Sequence, residues 1–521
     1  MSDIYAAPGT RALDNAAAPA TLERASSPGN SGLRLSSRRS RGFDFAENGR
    51  FTGEFNSATL TADQAVFYAI QTTRNRAREL EQTHPLTRKF ITQTKDGVIG
   101  SAPLRFQSKA ADFSGAEMKP DPGARSMIER RYRDFSHRKN YSLDHRLNRR
   151  RSSRMEVARL IVDGEVFIRK IRAADNPHRF TTQIIDADLC DIRLNTDCDI
   201  HGHRIIMGVK VDANHRPISY FFRPQPVGPF AGVLASPIVG EHIEIPADEI
   251  IHLYEPERPG QTRGLTYLAP AGMRAKLLDG LETSVLVGYK VAAAKMGFLM
   301  PGEGYEGDEI DPDDIAREVA PGQLDLLPKG VQFGSFDPAY PNAEYDVIKT
   351  AVSKEIASAF GVSYPELGNS YEGLSFSAGQ LARDADEKLY DSLRATLVEE
   401  VEEEVYRGWL SMQLVFGLLP FPIKRKKKYE EVRFLPPRKK PVDGLKDAKT
   451  KELRASIYDV DPYEMAAESG ADFEDRLDNI ARAKAACEER GLPFPSAWGG
   501  DQAEDPVVEA LITEPEPPAA P

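Results

Sequence analysis

Cys190, Cys198, His201 and His203, with Asp197 and Asp199 among them, are the residues whose types best suit a metal. Thiolates and imidazoles favour tetrahedral zinc. The spacing C-x7-C-x2-H-x-H matches no familiar ligand pattern, although His201 and His203 would share a face of a strand. A polar turn accounts for the same residues equally well. Asp186 and Asp188, two apart, could do acid–base work, but 79 acidic residues and 9 histidines produce such pairs by chance. The sequence contains no GxSxG, HExxH or CxxC motif and no GxxxxGK[ST] phosphate loop. GEGYEG (Gly302–Gly307) lacks the dinucleotide-fingerprint spacing. No catalytic residue, cofactor or metal is therefore expected.

The remaining chemistry is charge. RRYR (Arg130–Arg133), NRRRSSR (Asn148–Arg154) and KRKKK (Lys424–Lys428) could hold phosphates, form solvated faces, or meet acidic segments such as Glu399–Glu404. The 521-residue chain nevertheless carries a net charge of -11. A simple counterion-releasing nucleic-acid binder would be basic, so any DNA contact is expected to be local or weak. Three cysteines are too few for a disulfide scaffold. The most apolar run, Trp409–Pro422, is shorter than the ~20 residues of a spanning helix. The N-terminus lacks a basic region followed by an apolar one, so no secretory signal and no membrane partner are expected.

The length allows roughly three or four folding units. Residues 1–58 read as a flexible arm with SSPGNSG and SSRRSRG, and 498–521 as a disordered acidic tail. Thr61 or Asp63 could cap a first helix, broken at His84-Pro85, with a second over Leu86–Thr94. Residues 155–255 read as strands, with Asp163-Gly164 as a hairpin turn and another turn at Asp212–Pro217. Three amphipathic helices follow. Gly272–Met296 carries Met273, Leu277, Leu281, Val285 and Tyr289 on one stripe. Ala343–Phe360 carries Tyr345, Ile348, Val352, Ile356 and Phe360. Ser377–Phe416 carries Leu389, Leu393, Leu397, Val401, Val405 and Trp409. A Gly/Pro-punctuated module, Phe298–Pro341, separates the first two, and the aromatic, Gly-rich stretch Val362–Phe376 separates the last two.

Several segments, in order, resemble the portal proteins of tailed bacteriophages, the lambda-type family. They include HPLTRKFITQTKDGVIGSAPLRFQ (His84–Gln107), QIIDADLCD (Gln183–Asp191) and IPADEIIHLYEPERPGQTRGLTYLAP (Ile245–Pro270). Later ones are LDLLPKGVQFGSFDPAYPNAEYDVIK (Leu324–Lys349), FGVSYPELGNSYEGLSFSAGQLARDADEKLY (Phe360–Tyr390) and PVDGLKDAKTKELRASIYDVDPYEMAAESGADFEDRL (Pro441–Leu477). The stretches ERPGQTRGLTYLAP and VSYPELGNSYEGLSFS are the most specific. The sequence departs from the family at Gly379-Gln380, where relatives usually place an arginine.

The resemblance implies an α+β portal fold: a wing (59–271), a stem helix (272–297), a clip (298–342), a second stem helix (343–361), a tunnel loop (362–376), a long wing helix (377–419) and a crown (420–497). It implies a ring of about twelve subunits at one capsid vertex of a virion assembled in the bacterial cytoplasm. Double-stranded DNA would pass through the ring in packaging and ejection. The large terminase subunit, the major capsid protein and scaffold, and head-completion, neck or tail proteins would be its partners. The ring could nucleate capsid assembly and would have no enzymatic activity. Lys290, Lys295, Lys349, Lys354, Asn369 and Tyr371 become candidates for the channel wall. Ser363, Tyr364, Glu366, Asn369, Ser370, Tyr371 and Glu372 fall in the tunnel loop. Glu303, Tyr305, Glu306, Asp308 and Glu309 fall on the clip facing terminase or connector. Two other readings stay open: a DNA-binding scaffold using Arg125–Arg154 and Lys424–Lys440, and a metal-dependent hydrolase using His201 and His203.

Overall fold

A computed structural model describes residues 59–114, 117–200, 202–224, 242–293, 297–301, 331–335, 344–436 and, between 444 and 494, three helices with short flanks. In chain order the helices are α1 (Ala62–Thr83), α2 (Pro85–Val98), α3 (Pro122–Phe135), α4 (Arg138–Tyr141), α5 (Arg149–Asp163), α6 (Ala269–Ala293), α7 (Glu344–Phe360), α8 (Tyr364–Gly368), α9 (Phe376–Leu397), α10 (Glu403–Val415), α11 (Lys426–Glu430), α12 (Gly444–Ser456), α13 (Pro462–Glu468) and α14 (Phe473–Glu489). The strands are β1 (Arg105–Ser108), β2 (Ala111–Ser114), β3 (Glu117–Pro120), β4 (Glu165–Arg172), β5 (Phe180–Ile185), β6 (Arg204–Ile206), β7 (Val209–Val211), β8 (Pro217–Phe222), β9 (Ile243–Pro246), β10 (Ile250–Tyr254), β11 (Gly297–Pro301), β12 (Val331–Ser335) and β13 (Val432–Leu435). The class is α+β. Among the described residues no helix is long and apolar enough to cross a membrane.

The chain divides into two units. Among the described residues, the smaller comprises those that fall within Met1–Ala69, Cys190–Ile245 and Pro256–Arg263. Its sheet has the order β6-β7-β8-β9. Met207 and Gly208, at φ 46° and 82°, turn β6 into β7. Two consecutive positive φ values are what a tight two-residue hairpin needs, and this turn interrupts a run that sequence alternation presents as one strand. The expected second turn is present: Asp212 Oδ1 accepts from the Asn214 and Arg216 amides. At the start of α1, Thr61 Oγ1 accepts from the Gln64 amide while Gln64 Oε1 accepts from the Thr61 amide, a reciprocal cap.

The larger unit centres on the antiparallel sheet β10-β4-β5. Its core runs through Phe90, Ile128, Tyr132, Phe135, Ile161, Phe180 and Trp409. The Trp409 ring lies edge-on to Tyr132 at 5.1 Å and near Tyr406 at 5.8 Å. Val432–Leu435, within the span expected as crown, pair with β1 as its antiparallel partner.

Asp163-Gly164 is not a hairpin turn. Val157–Asp163 completes α5, Gly164 caps it at φ 84° with its amide on the Leu160 carbonyl, and strand begins only at Glu165. A short apolar run reads the same way for a buried strand as for a buried helix, and here Leu160, Ile161 and Val162 are all buried. The long helix expected over Ser377–Phe416 is α9 and α10 joined by a π-turn at Val398–Glu402. Residues four apart drift by about 40° per step on a regular helix. The wider turn takes back part of that drift, so Leu393, Leu397, Val401, Val405 and Trp409 all stay buried.

Candidate functional site

Two helices leave and re-enter the larger unit as an antiparallel pair. β11 follows α6 and pairs with β12, which precedes α7, so residues 302–330 are bracketed by a two-stranded closure. Arg274 is ion-paired with Glu355, and Lys349 Nζ lies 2.9 Å from Glu282 Oε1. Among the described residues, burial lies at one end of each helix. Ala271, Ala275 and Leu278 of α6 are buried, as are Ser353, Ile356, Ala357 and Phe360 of α7, and Phe360 stacks on Phe90 at 4.5 Å. The α6 stripe read from the sequence does not face this core. Met273 is 67% exposed and Leu277 66%, and Leu281, Leu286, Val287 and Tyr289 are exposed beyond them. On α7, Val347 and Ile348 are exposed as well. The fourfold spacing located the stripe but not what covers it.

Of the four lysines singled out on these helices, Lys349 is held by Glu282, and that hydrogen bond raises its pKa. Lys290 is exposed, and Lys354 is exposed with its ammonium 5.8 Å from the centre of the Tyr364 ring. Lys295 lies outside the described residues, as do Glu303, Tyr305, Glu306, Asp308 and Glu309.

The stretch after α7 is not a plain loop. Gly361 turns the chain at φ 71° and Tyr364–Gly368 form α8. Asn369 ends α8 in the left-handed region at φ 51°, a conformation that asparagine tolerates. Three ties hold this segment to the larger unit. Asp386 accepts from the Ser363 amide at 2.6 Å and hydroxyl at 2.7 Å. Lys89 Nζ donates to Asn369 Oδ1 at 3.0 Å. Leu367 is buried in the core. The Ser370 amide donates to the Pro365 carbonyl, and the Tyr371 hydroxyl donates to Glu366 Oε2 at 3.0 Å. Burial pushes the Asp386 carboxyl up, and burial with the Glu366 bond pushes the Tyr371 phenol up. Tyr371 and Glu372 stay exposed at the tip.

Sequence reading missed the charged groups that hold the larger unit together. Arg74 and Arg78 of α1 reach Glu165, Asp188, Asp163 and Asp186 at 2.5–3.0 Å. The Asp186/Asp188 pair is thus engaged by arginines. Part of the basic segment 125–154 is internal too: Arg149 is buried on Glu402 at 2.9 Å, and Arg131 donates to Gln413. In the specific block ERPGQTRGLTYLAP, Glu257–Gly260 are exposed, whereas Gln261–Gly264, Thr266 and Leu268 are buried. In the smaller unit, Thr262 binds Asp63 through its amide and hydroxyl, and Arg263 donates to the Met207 carbonyl at 2.6 Å. In the larger, the Gly264 amide donates to Glu165.

Cys190 is buried with its thiol toward the Met207 carbonyl, Cys198 is exposed, and His203 pairs with Asp199. His201 lies outside the described residues. Among the described residues no group of three or more His, Cys, Asp or Glu is placed to hold a metal ion.

Residues 48–394 match the family model described as "Phage portal protein, lambda family". A probable portal protein of Halomonas phage phiHAP-1 is 27% identical over 455 residues, 86% of each chain. Portal protein B of Escherichia phage lambda is 22% identical over 283 residues, covering 48% of this chain and 52% of that one. Among solved structures, the neck of an empty gene transfer agent (GTA) particle aligns with a TM-score of 0.47 and 12% identity, over 78% of this chain and 94% of its own. With the family model spanning well over half of its length, the chain belongs to the lambda family of phage portal proteins.

Proposed function

We propose that the chain assembles into a closed ring of about twelve copies at one capsid vertex, as a component of the virion. DNA enters through this ring under a separate terminase motor and leaves through it at ejection. The ring has no catalysis of its own. α6 and α7 form its stem, 302–330 the clip offered to terminase and head-completion proteins, and α8 with its flanks the element nearest the channel. Assembly takes place in the host cytoplasm, with capsid protein and scaffold as further partners.

Beyond family membership, one observation carries this reading: an apolar stripe on α6, led by Met273 and Leu277, that is exposed in the single chain. Exposed apolar surface of this extent marks an interaction face. In a cyclic ring each copy offers one face to a different face of its neighbour, so one long stripe per chain suffices. An acidic chain also suits a channel through which DNA slides, because dense phosphate binding would stall it.

The test is electron microscopy of the purified chain with its mass measured in parallel. Twelve copies of 57.7 kDa give rings of about 690 kDa with a central hole. A chain that stays monomeric with capsid protein and scaffold present overturns the ring.

A further inference from the structure

Between Arg130 and Arg151 the chain carries nine Lys or Arg and two acids. Arg131 and Arg149 are used internally, and Arg146 faces Asp144. Both acids are engaged, Asp134 by His178 and Asp144 by Ser142. Arg130, Arg133, Arg138, Lys139, Arg150 and Arg151 are left with no ion pair or side-chain hydrogen bond among the described residues. All are exposed except Arg150, which is half-buried. The Arg149 amide donates to the Ser136 carbonyl at 3.1 Å and joins the end of α3 to the start of α5, with α4 between, so these residues sit on neighbouring elements. Six cations with no ion pair among the described residues outnumber the two carboxylates of the stretch and repel one another, and an anion laid over them relieves that repulsion.

The same chain carries such an anion. Asp501–Pro521 holds Asp501, Glu504, Asp505, Glu509, Glu514 and Glu516 and no Lys or Arg. The residues after Phe494 can reach roughly 90 Å when extended. We propose that the arginine patch of α3–α5 is the docking surface for this acidic C-terminal segment, from the same copy or a neighbouring one. Charge and tethering favour it over nucleic acid. A tethered segment acts at an effective concentration of the order of millimolar, whereas free DNA approaches against a net charge of -11. Nothing in this inference depends on the ring.

The test uses the full chain with its tail neutralised (D501N, E504Q, D505N, E509Q, E514Q, E516Q) and a labelled peptide of residues 501–521. The peptide should bind the neutral-tail chain with an affinity that falls as salt rises. Wild-type chain, its own tail in place, should bind it at least about tenfold more weakly. Adding R133E, R138E and R151E to the neutral-tail chain should abolish binding, whereas R133K, R138K and R151K should keep it. No binding to the neutral-tail chain, or equal binding to its charge-reversed form, overturns the proposal. Binding of a labelled DNA duplex but not of the peptide also overturns it and makes the patch a nucleic-acid surface.

Discussion

Lys349 of α7 and Glu282 of α6 form a cross-helix ion pair at 2.9 Å within one chain, with Arg274–Glu355 as a second rung. The lysine therefore spends its charge on its own hairpin of helices, whereas Lys290 has no ion pair among the described residues. Lys349→Gln should leave the amount of packaged DNA unchanged, and Lys290→Gln should lower it, in a nuclease-protection packaging assay. Both groups of the pair are partly exposed, so the stability cost of Lys349→Gln should stay at or below about 1 kcal/mol. A drop in packaging for Lys349→Gln equal to that for Lys290→Gln would refute the division.

Leu277 and Leu281 test the α6 stripe separately. Leu277 is 66% exposed in the single chain, so Leu277→Asp removes little intramolecular packing. The double variant with Leu281→Asp should melt within a few degrees of wild type yet fail to form rings by mass photometry. A variant that still closes into rings would move the subunit contact off α6. One that unfolds would show that the stripe packs within the chain.

How far these features were legible follows from their range. Fourfold spacing marked α6, α7 and α9, and Thr61, one of two capping candidates with Asp63, marked the start of α1, because both signals are local. The burial side of the α6 stripe was not legible, since a lone chain and an assembled one share the same periodicity. The Arg74–Glu165 and Arg149–Glu402 pairs join residues 91 and 253 positions apart, and no spacing rule reaches that far. Val157–Val162 misread as strand for a related reason: an apolar run buried on every side loses its period.

Gly164 tests the corrected reading of that run. It sits at φ 84°, and a methyl there would lie 2.2 Å from the Leu265 carbonyl carbon. Gly264 approaches it in turn, where a methyl would meet the Gly164 carbonyl oxygen at 2.0 Å. Gly164→Ala should cost roughly 1–2 kcal/mol for the left-handed backbone and a further 1–3 kcal/mol for overpacking. Urea titration would read this as a lower midpoint with an unchanged slope. A hairpin turn open to solvent would show only the first part.

Glu156 makes stability depend on pH in a direction opposite to that of most carboxylates. It is buried on α5 beside Glu402, with Arg149, Tyr132 and Tyr141 facing the same cluster. The guanidinium and the Ser153 hydroxyl both go to Glu402. Glu156 keeps one bond, from Ser152, and its other oxygen is buried without a partner. Burial, then the Glu402 charge, pushes its pKa up to about 8 from 4.5. The folded state thus holds a proton that the unfolded chain has released. The stabilisation is complete below pH 4.5 and is lost as pH rises through about 8. Glu156→Gln mimics the protonated form, so it should match wild type near pH 5 and exceed it in melting temperature at pH 9. Glu402→Gln should instead strand Arg149 and cost about 3–5 kcal/mol across that range. Parallel pH dependences for wild type and Glu156→Gln would mean that Glu156 is ionised in the core.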